Sequence, residues 1–245
     1  MSLQGSLRDS DSHAERALSD FLDRNFYARM KRYKKWNYQR IVDRRQQLNG
    51  IDVHVDIQGG GSLNIDEKAS LHYINKDIPT FAFEVSSIQH KGGSTIPGWF
   101  VNDQLATNVY CLLWVYASVS QSNRGGDWGT DLARLMVSDF TEVECLMVTK
   151  KGVVSFLDAR GLTRERLCRR GDEIRNRNII GRSSAFLNAD GTYRSTVSSR
   201  DPFYFYYSTK LAEKPVNIVI RKQCLYDIAK HVYRIKPKVM EELFF

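Results

Sequence analysis

The chain has 245 residues, 42% apolar and 26% charged, a balance that excludes a disordered or fibrous polymer and suits one large globular domain. Its longest apolar run, Tyr110 to Ala117, is too short to span a bilayer, and four cysteines without C-x-x-C spacing exclude a disulfide framework and a zinc ribbon. The net charge of +8 favours an acidic partner, nucleic acid first, with no role for a membrane.

Residues 1–10 are polar and read as a flexible lead with no secretory leader, so a reduced, cytoplasmic setting is expected. From Asp11, apolar residues at Ala14, Leu18, Phe21, Leu22 and Phe26 recur every three or four positions, predicting a helix capped by Asp11 or Ser12. The helix is expected to continue through Lys31, Arg32, Lys34, Lys35 and Arg40, which alternate with Tyr33, Trp36 and Tyr38. A glycine-centred hairpin follows over 50–73, then a third strand over 80–87 and a Gly/Ser/Thr/Pro loop over 91–99. Residues 108–117 read as a buried strand, 121–130 as a loop and 131–140 as a short helix. A hairpin with its turn at Lys150-Lys151-Gly152 comes next, then an arginine-rich helix from Thr163 to Asn176 and a turn at Asp190-Gly191. Strands over 203–209 and 217–223 and a last helix over 225–235 complete the chain. This order predicts a single α/β domain over 11–245, with a core of about 11–120 and an elaboration of about 121–245.

The hairpin carries the chemistry. Alternate strand residues share a face, so Ile51, Val53, Val55 and Ile57 oppose Asp52, His54, Asp56 and Gln58. On the return strand, Ile65, Glu67, Ala69 and Leu71 oppose Asn64, Asp66, Lys68 and Ser70. A three-residue loop of Gly59, Gly60 and Gly61 keeps both polar sets on one side and sets Asp52 opposite Lys68, diagonal to Asp66. If the third strand joins the same core, Glu84 joins the acids. Three crowded carboxylates repel unless a cation neutralises them, and an all-oxygen set suits Mg²⁺ or Mn²⁺. Such an ion polarises a phosphoryl oxygen and acidifies a bound water, while Lys68 steadies the charge that develops. The bland alternative is a solvated hairpin face with a cross-strand ion pair of little energetic value.

With Gly50-Ile51-Asp52 followed by Asp66-Glu67-Lys68, the hairpin resembles the PD-(D/E)xK nuclease superfamily, the restriction-endonuclease-like fold. The resemblance implies a mixed central sheet flanked by helices, with an α-β-β-β-α-β core in the first half of the chain and an α/β elaboration after it. It implies Mg²⁺-dependent hydrolysis of phosphodiester bonds in DNA, with Asp52 and Asp66 as metal ligands and Lys68 in water activation or charge stabilisation; the strand faces add Glu84 to the ligand set. Glu15, on the first helix, matches an extra glutamate that such families carry. Many relatives dimerise, which makes a homodimer an expectation. Two departures are Ile51 in the place of proline and Glu67 on the apolar face.

The basic segments supply the nucleic-acid contacts expected of such an enzyme: Lys31, Arg32, Lys34, Lys35 and Arg40 in the first, Arg169 and Arg170 in the second. Their plain alternative is a solvated helix end and an ordinary charged helix. Two other functions stay open on the sequence: a nucleic-acid-binding module without turnover, and a structural or assembly protein whose acids are incidental.

Overall fold

The computed structural model describes residues 3–89, 93–118 and 132–244, with the side chains of 3–10 and of Arg44 left aside. The expected loop over 121–130 lies outside the described residues.

Helix α1 spans Leu3–Leu22, so the expected flexible lead is helical from Leu3. A π-helical turn, Asp23–Tyr27, joins it to α2 (Ala28–Lys34). There the helix stops, earlier than predicted. Lys35 takes a left-handed φ of 55°, and Trp36–Arg40 become strand β1. After α3 (Arg44–Leu48), capped by the Asp43 carboxylate, come β2 (Val53–Ile57) and β3 (Ser62–Ala69). Next are β4 (Thr80–Ile88), β5 (Thr95–Pro97), β6 (Val109–Ala117) and β7 (Phe140–Thr149). Residues 131–140 were expected to form one helix; the described part forms two 3₁₀ turns, Leu132–Arg134 and Val137–Asp139. Helix α4 (Lys150–Asp158) replaces the expected turn at Lys150-Lys151-Gly152, because the Thr149 hydroxyl accepts the Gly152 N–H at 2.9 Å and caps a helix. Then follow α5 (Arg164–Asn176), capped by Thr163, and β8 (Gly181–Ser183), β9 (Phe203–Tyr207) and β10 (Val216–Arg221). The expected last helix is only α6 (Lys222–Ile228), and the chain closes on a hairpin of β11 (His231–Lys236) and β12 (Val239–Leu243). Among the described residues, no helix is long and apolar enough to cross a membrane.

The elements form a mixed α/β protein of two units, each assembled from separated stretches. The first comprises 1–78, 107–148 and 229–245, the second 79–106 and 149–228. Residues 79–106, inside the expected core, therefore belong with the later part of the chain.

In the first unit a seven-stranded mixed sheet runs in the order β1-β2-β3-β6-β7-β11-β12. β1, β2 and β3 form an antiparallel meander, and β6 pairs with β3 in parallel. One face is apolar at alternate positions: Val53 and Val55, Ile65, Cys111, Leu113 and Val115, Val143, Cys145 and Met147, Tyr233 and Ile235. Ala14, Leu18, Phe21 and Leu22 of α1 and Phe26 of the π turn belong to the same buried cluster. The predicted helical spacing thus marks the face that buries α1.

In the second unit an antiparallel sheet runs β5-β4-β10-β9-β8. Helix α5 crosses it at Gly171, where a Cβ would lie 3.1 Å from Val85 Cγ1. Phe203, Tyr204, Phe205 and Tyr207 of β9 are buried, and Tyr206 is 40% exposed.

Candidate functional site

The site lies in the first unit, on the polar side of β2 and β3. The turn between them decides what faces what. Ile57 N–H bonds Gly61 O at 3.1 Å and Gly60 N–H bonds Ile57 O at 2.9 Å, so the loop is Gln58-Gly59-Gly60. It is one residue earlier than predicted. Gly59 holds a φ of +75°, open to glycine at no steric cost. The ladder then pairs Val53 with Ile65, His54 with Asn64, and Asp56 with Ser62. The facing of the two sets is as predicted, but the partner changes: Asp52 falls beside Asp66, not opposite Lys68.

Three contacts fix these groups. Asp52 N–H bonds Ile65 O at 2.8 Å, and its carboxylate Oδ2 accepts the Glu67 N–H at 2.7 Å. Asp66 is buried, 3% exposed, and its Oδ1 receives the Lys68 ammonium at 2.7 Å. Burial pushes the Asp52 carboxyl up to about 6; the neighbouring Asp66 charge adds to this, while Lys68 and the Glu67 N–H oppose it.

Glu15 reaches this group from α1. Desolvation raises its carboxyl, Asp11 and Asp52 push the same way, and Lys68 pulls it down. Asp11, one helical turn earlier, lies 3.3 Å from His72 Nε2. Burial lowers the His72 pKa against the pull of Asp11. His54, on β2 and two residues after Asp52, bonds Asn64 at 2.8 Å across the strands and Asp56 at 3.3 Å.

Glu67 explains its own place on the apolar face. Its carboxylate is buried and accepts the Tyr27 hydroxyl at 2.8 Å and two Arg40 N–H groups at 2.8 and 3.1 Å. Arg40 also holds Asp23 at 2.8 Å. The network ties the π turn and β1 to the residue between Asp66 and Lys68. It thereby sets the height of both on the strand. Burial raises the Glu67 carboxyl, and Arg40 and Tyr27 oppose that shift.

The other predicted residues fall in different places. Glu84 sits on β4, between β5 and β10 in the second unit's sheet, and accepts the Ser87 hydroxyl at 3.2 Å. The strand beside β3 is β6, so the strand adjacency that suggested Glu84 does not occur. β6 instead sets Tyr110 in register with Asp66. Burial raises the Tyr110 phenol well above its usual range, and the Asp66 charge adds to it. Nothing in the apolar run 109–117 marked this residue. Arg40, expected as a phosphate contact, is committed to Glu67 and Asp23. Arg170 is 5% exposed, bound to Glu173 at 2.8 Å and stacked 3.7 Å above the Tyr193 ring, so it too serves the fold. Arg169 is exposed beside Glu165. Lys31, Arg32, Lys34 and Lys35 are all exposed, and Lys34 meets Glu242 at 3.1 Å.

Among the described residues, no three His, Cys, Asp or Glu side chains converge closely enough to enclose a metal ion by themselves. The oxygens present form a pair, Asp52 and Asp66, with Glu15 near. Charge is unevenly divided: the second unit holds 17 Lys and Arg against 10 Asp and Glu, the first 19 against 18.

Comparison with known proteins finds no match: no family model, no curated protein and no solved structure resembles the chain closely enough to count.

Proposed function

We propose that the chain is a metal-dependent nuclease that hydrolyses phosphodiester bonds in DNA, with Asp52, Asp66 and Lys68 at its centre and Glu15 beside them. The observation that carries this is the pairing of Asp52 with buried Asp66, with the Lys68 ammonium 2.7 Å from the Asp66 carboxylate. A structural hairpin gains nothing from two adjacent carboxylates whose mutual repulsion opposes ionisation. A site that loads a cation does.

The donor set fits Mg²⁺ or Mn²⁺. Mg²⁺ keeps several waters and binds through one or two carboxylates plus substrate phosphate, rather than in an all-protein cage. Asp52 and Asp66 supply the two carboxylates, and Glu15 a third oxygen group nearby. When bound, the ion polarises the scissile phosphate and acidifies a water. Lys68 orients the attacking oxygen or offsets charge developing on the phosphate. Tyr110, kept neutral beside Asp66, adds no competing charge.

The topology supports a restriction-endonuclease-like core. Helix α1 precedes a three-stranded meander, and β6 then runs parallel to β3. It also departs from that plan. Among the described residues between β3 and β6 there is no α-helix, only a 3₁₀ turn at Leu71–Tyr73 and the first strands of the second unit.

Cleavage of supercoiled plasmid and single-stranded DNA with Mg²⁺, Mn²⁺ or EDTA tests the reading, with Asp66→Asn and Lys68→Ala alongside. Metal-dependent cutting lost in both variants supports it. Retention of DNA without cutting at any metal concentration favours the binding module instead.

A further inference from the structure

Glu67 is held from two sides. Its N–H donates to Asp52 Oδ2 at 2.7 Å, so the backbone of β3 fixes one oxygen of the carboxylate pair. Its own carboxylate, 8% exposed, accepts the Tyr27 hydroxyl and two Arg40 N–H groups on the apolar face of the sheet. β2 leaves its ladder at this point. Its pairing with β3 ends at Val53 and Ile65, and the Asp52 side chain, not a backbone carbonyl, takes the Glu67 N–H. A shift of Glu67 therefore moves Asp52 Oδ2 directly, and moves Asp66 and Lys68, its chain neighbours, with it.

The π turn is what brings Tyr27 to this carboxylate. Ala14, Leu18, Phe21 and Leu22 mark the buried stripe of α1. In an unbroken α-helix Tyr27, five residues after Leu22, would lie ~140° around the axis from it, facing away from the stripe. Instead Ala28 N–H reaches back to Asp23 O, and the widened turn takes up one extra residue. Phe26 and Tyr27 are then both buried, at 1% and 0% exposed, and Met30 follows them inward. Asp23, the first residue of the turn, holds Arg40 Nε at 2.8 Å, so the turn contributes at both of its ends. A buried ion pair is a weak source of stability, and well-packed apolar side chains in its place serve a fold as well or better. A π turn is rare and recurs at functional sites. Both features meet on the residue between Asp66 and Lys68, where packing alone calls for neither.

We propose that Tyr27 and Arg40 are positioning residues of the site: through Glu67 they hold Asp52, Asp66 and Lys68 in the arrangement that loads the cation. The inference rests on the nuclease reading, in which Asp52 and Asp66 take the ion, and adds what sets their affinity for it. Side chains fixed before the ion arrives have less freedom to lose when it binds, and outer partners that orient metal ligands govern affinity in this way.

The test measures Mn²⁺ binding by the full chain without DNA, from the electron paramagnetic resonance signal of the free ion, where circular dichroism shows each variant folded. Tyr27→Phe keeps the ring and removes the hydroxyl. Arg40→Lys keeps the charge and removes the two-pronged grip on Glu67. Met30→Ala, in the same buried cluster but outside these hydrogen bonds, is the control for lost stability. Mn²⁺ affinity should fall about tenfold in Tyr27→Phe and up to ~100-fold in Arg40→Lys, the range for outer partners of metal ligands. In Met30→Ala it should match the native value. Should Arg40→Lys fail to fold, Tyr27→Phe, which loses a single hydrogen bond, carries the test. Native affinity in the folded variants, while the native chain binds Mn²⁺ more tightly than Asp66→Asn does, overturns the positioning role and leaves the cation site standing. An equal loss in Met30→Ala overturns the role as well, because loosening the helix would then suffice. A native chain that binds Mn²⁺ no more tightly than Asp66→Asn overturns the cation site and the positioning role together.

Discussion

Replacing Asp52 by Asn should stabilise the metal-free protein, and the size of the gain should depend on pH. The folded chain holds the Asp52 carboxyl at about 6, against an ordinary value of 3.8. The folded state therefore binds its proton more tightly than the unfolded state between those values. Stability from this group is present below about pH 4 and is lost as pH rises to about 6, after which the loss is constant. The full difference is about two pH units, or ~3 kcal/mol. An Asn at 52 has no charge to repel Asp66, and its amide oxygen can still accept the Glu67 N–H. In EDTA the variant should match the native chain near pH 4 and exceed it by up to ~3 kcal/mol at pH 8. For a chain of this length that corresponds to roughly 6–12 °C in melting temperature. Glu15 and Glu67 titrate in both proteins, so the difference between them reports the Asp52 charge together with its push on those two carboxyls. Thermal unfolding followed by circular dichroism across pH 4–8 measures it. A variant that is no more stable than the native chain at pH 8, or equally more stable at pH 4, refutes the claim that the fold disfavours a charged Asp52, through burial first and the Asp66 charge second.

The network beneath the hairpin should be far less tolerant. Glu67→Ala leaves Arg40 buried beside a single remaining acid and should cost about 3–5 kcal/mol, read in chemical denaturation. Tyr27→Phe removes one hydrogen bond to the same carboxylate and should cost about 1.5–3 kcal/mol; a loss below ~0.5 kcal/mol contradicts the network as drawn. In the second unit, Gly98→Ala places a Cβ 2.3 Å from Glu84 O, so the β4–β5 edge must shift. About 1–3 kcal/mol is the expected loss, and an unchanged melting temperature shows that the turn after β5 has room. Lys68→Ala should abolish cutting while DNA binding in EDTA changes little, because one of many cations is lost; parallel loss of both makes Lys68 a binding residue only.

The hairpin's two faces were legible in the sequence because strand alternation is strict. Asp52, Asp66 and Lys68 could not share a side in any other pleat. The register was less legible. Whether Gly59 opens the loop or stands inside it is decided by which glycine takes the positive φ, and three in a row leave that open. Glu84 was misplaced for a related reason: alternation says that one face of 80–88 is buried but not in which sheet, and the crossover to β6 carries the strand away. Tyr110 was hidden in a run buried on both faces, where a polar hydroxyl leaves no mark. Arg40 and Arg170 read as surface cations because a buried arginine is recognised only through its partners, Glu67 and Asp23 for one, Glu173 and Tyr193 for the other. Glu67 was the one visible sign of such a partner, an acid on an apolar face.

The most direct test of the central claim is plasmid cleavage by the purified full chain in Mg²⁺ and in EDTA, with Asp66→Asn compared at equal concentration and equal folded fraction. The account predicts cutting by the native chain in Mg²⁺, none in EDTA, and none by the variant in either. Cutting by Asp66→Asn at the native rate would contradict it, because the activity would then arise away from the paired carboxylates of β2 and β3.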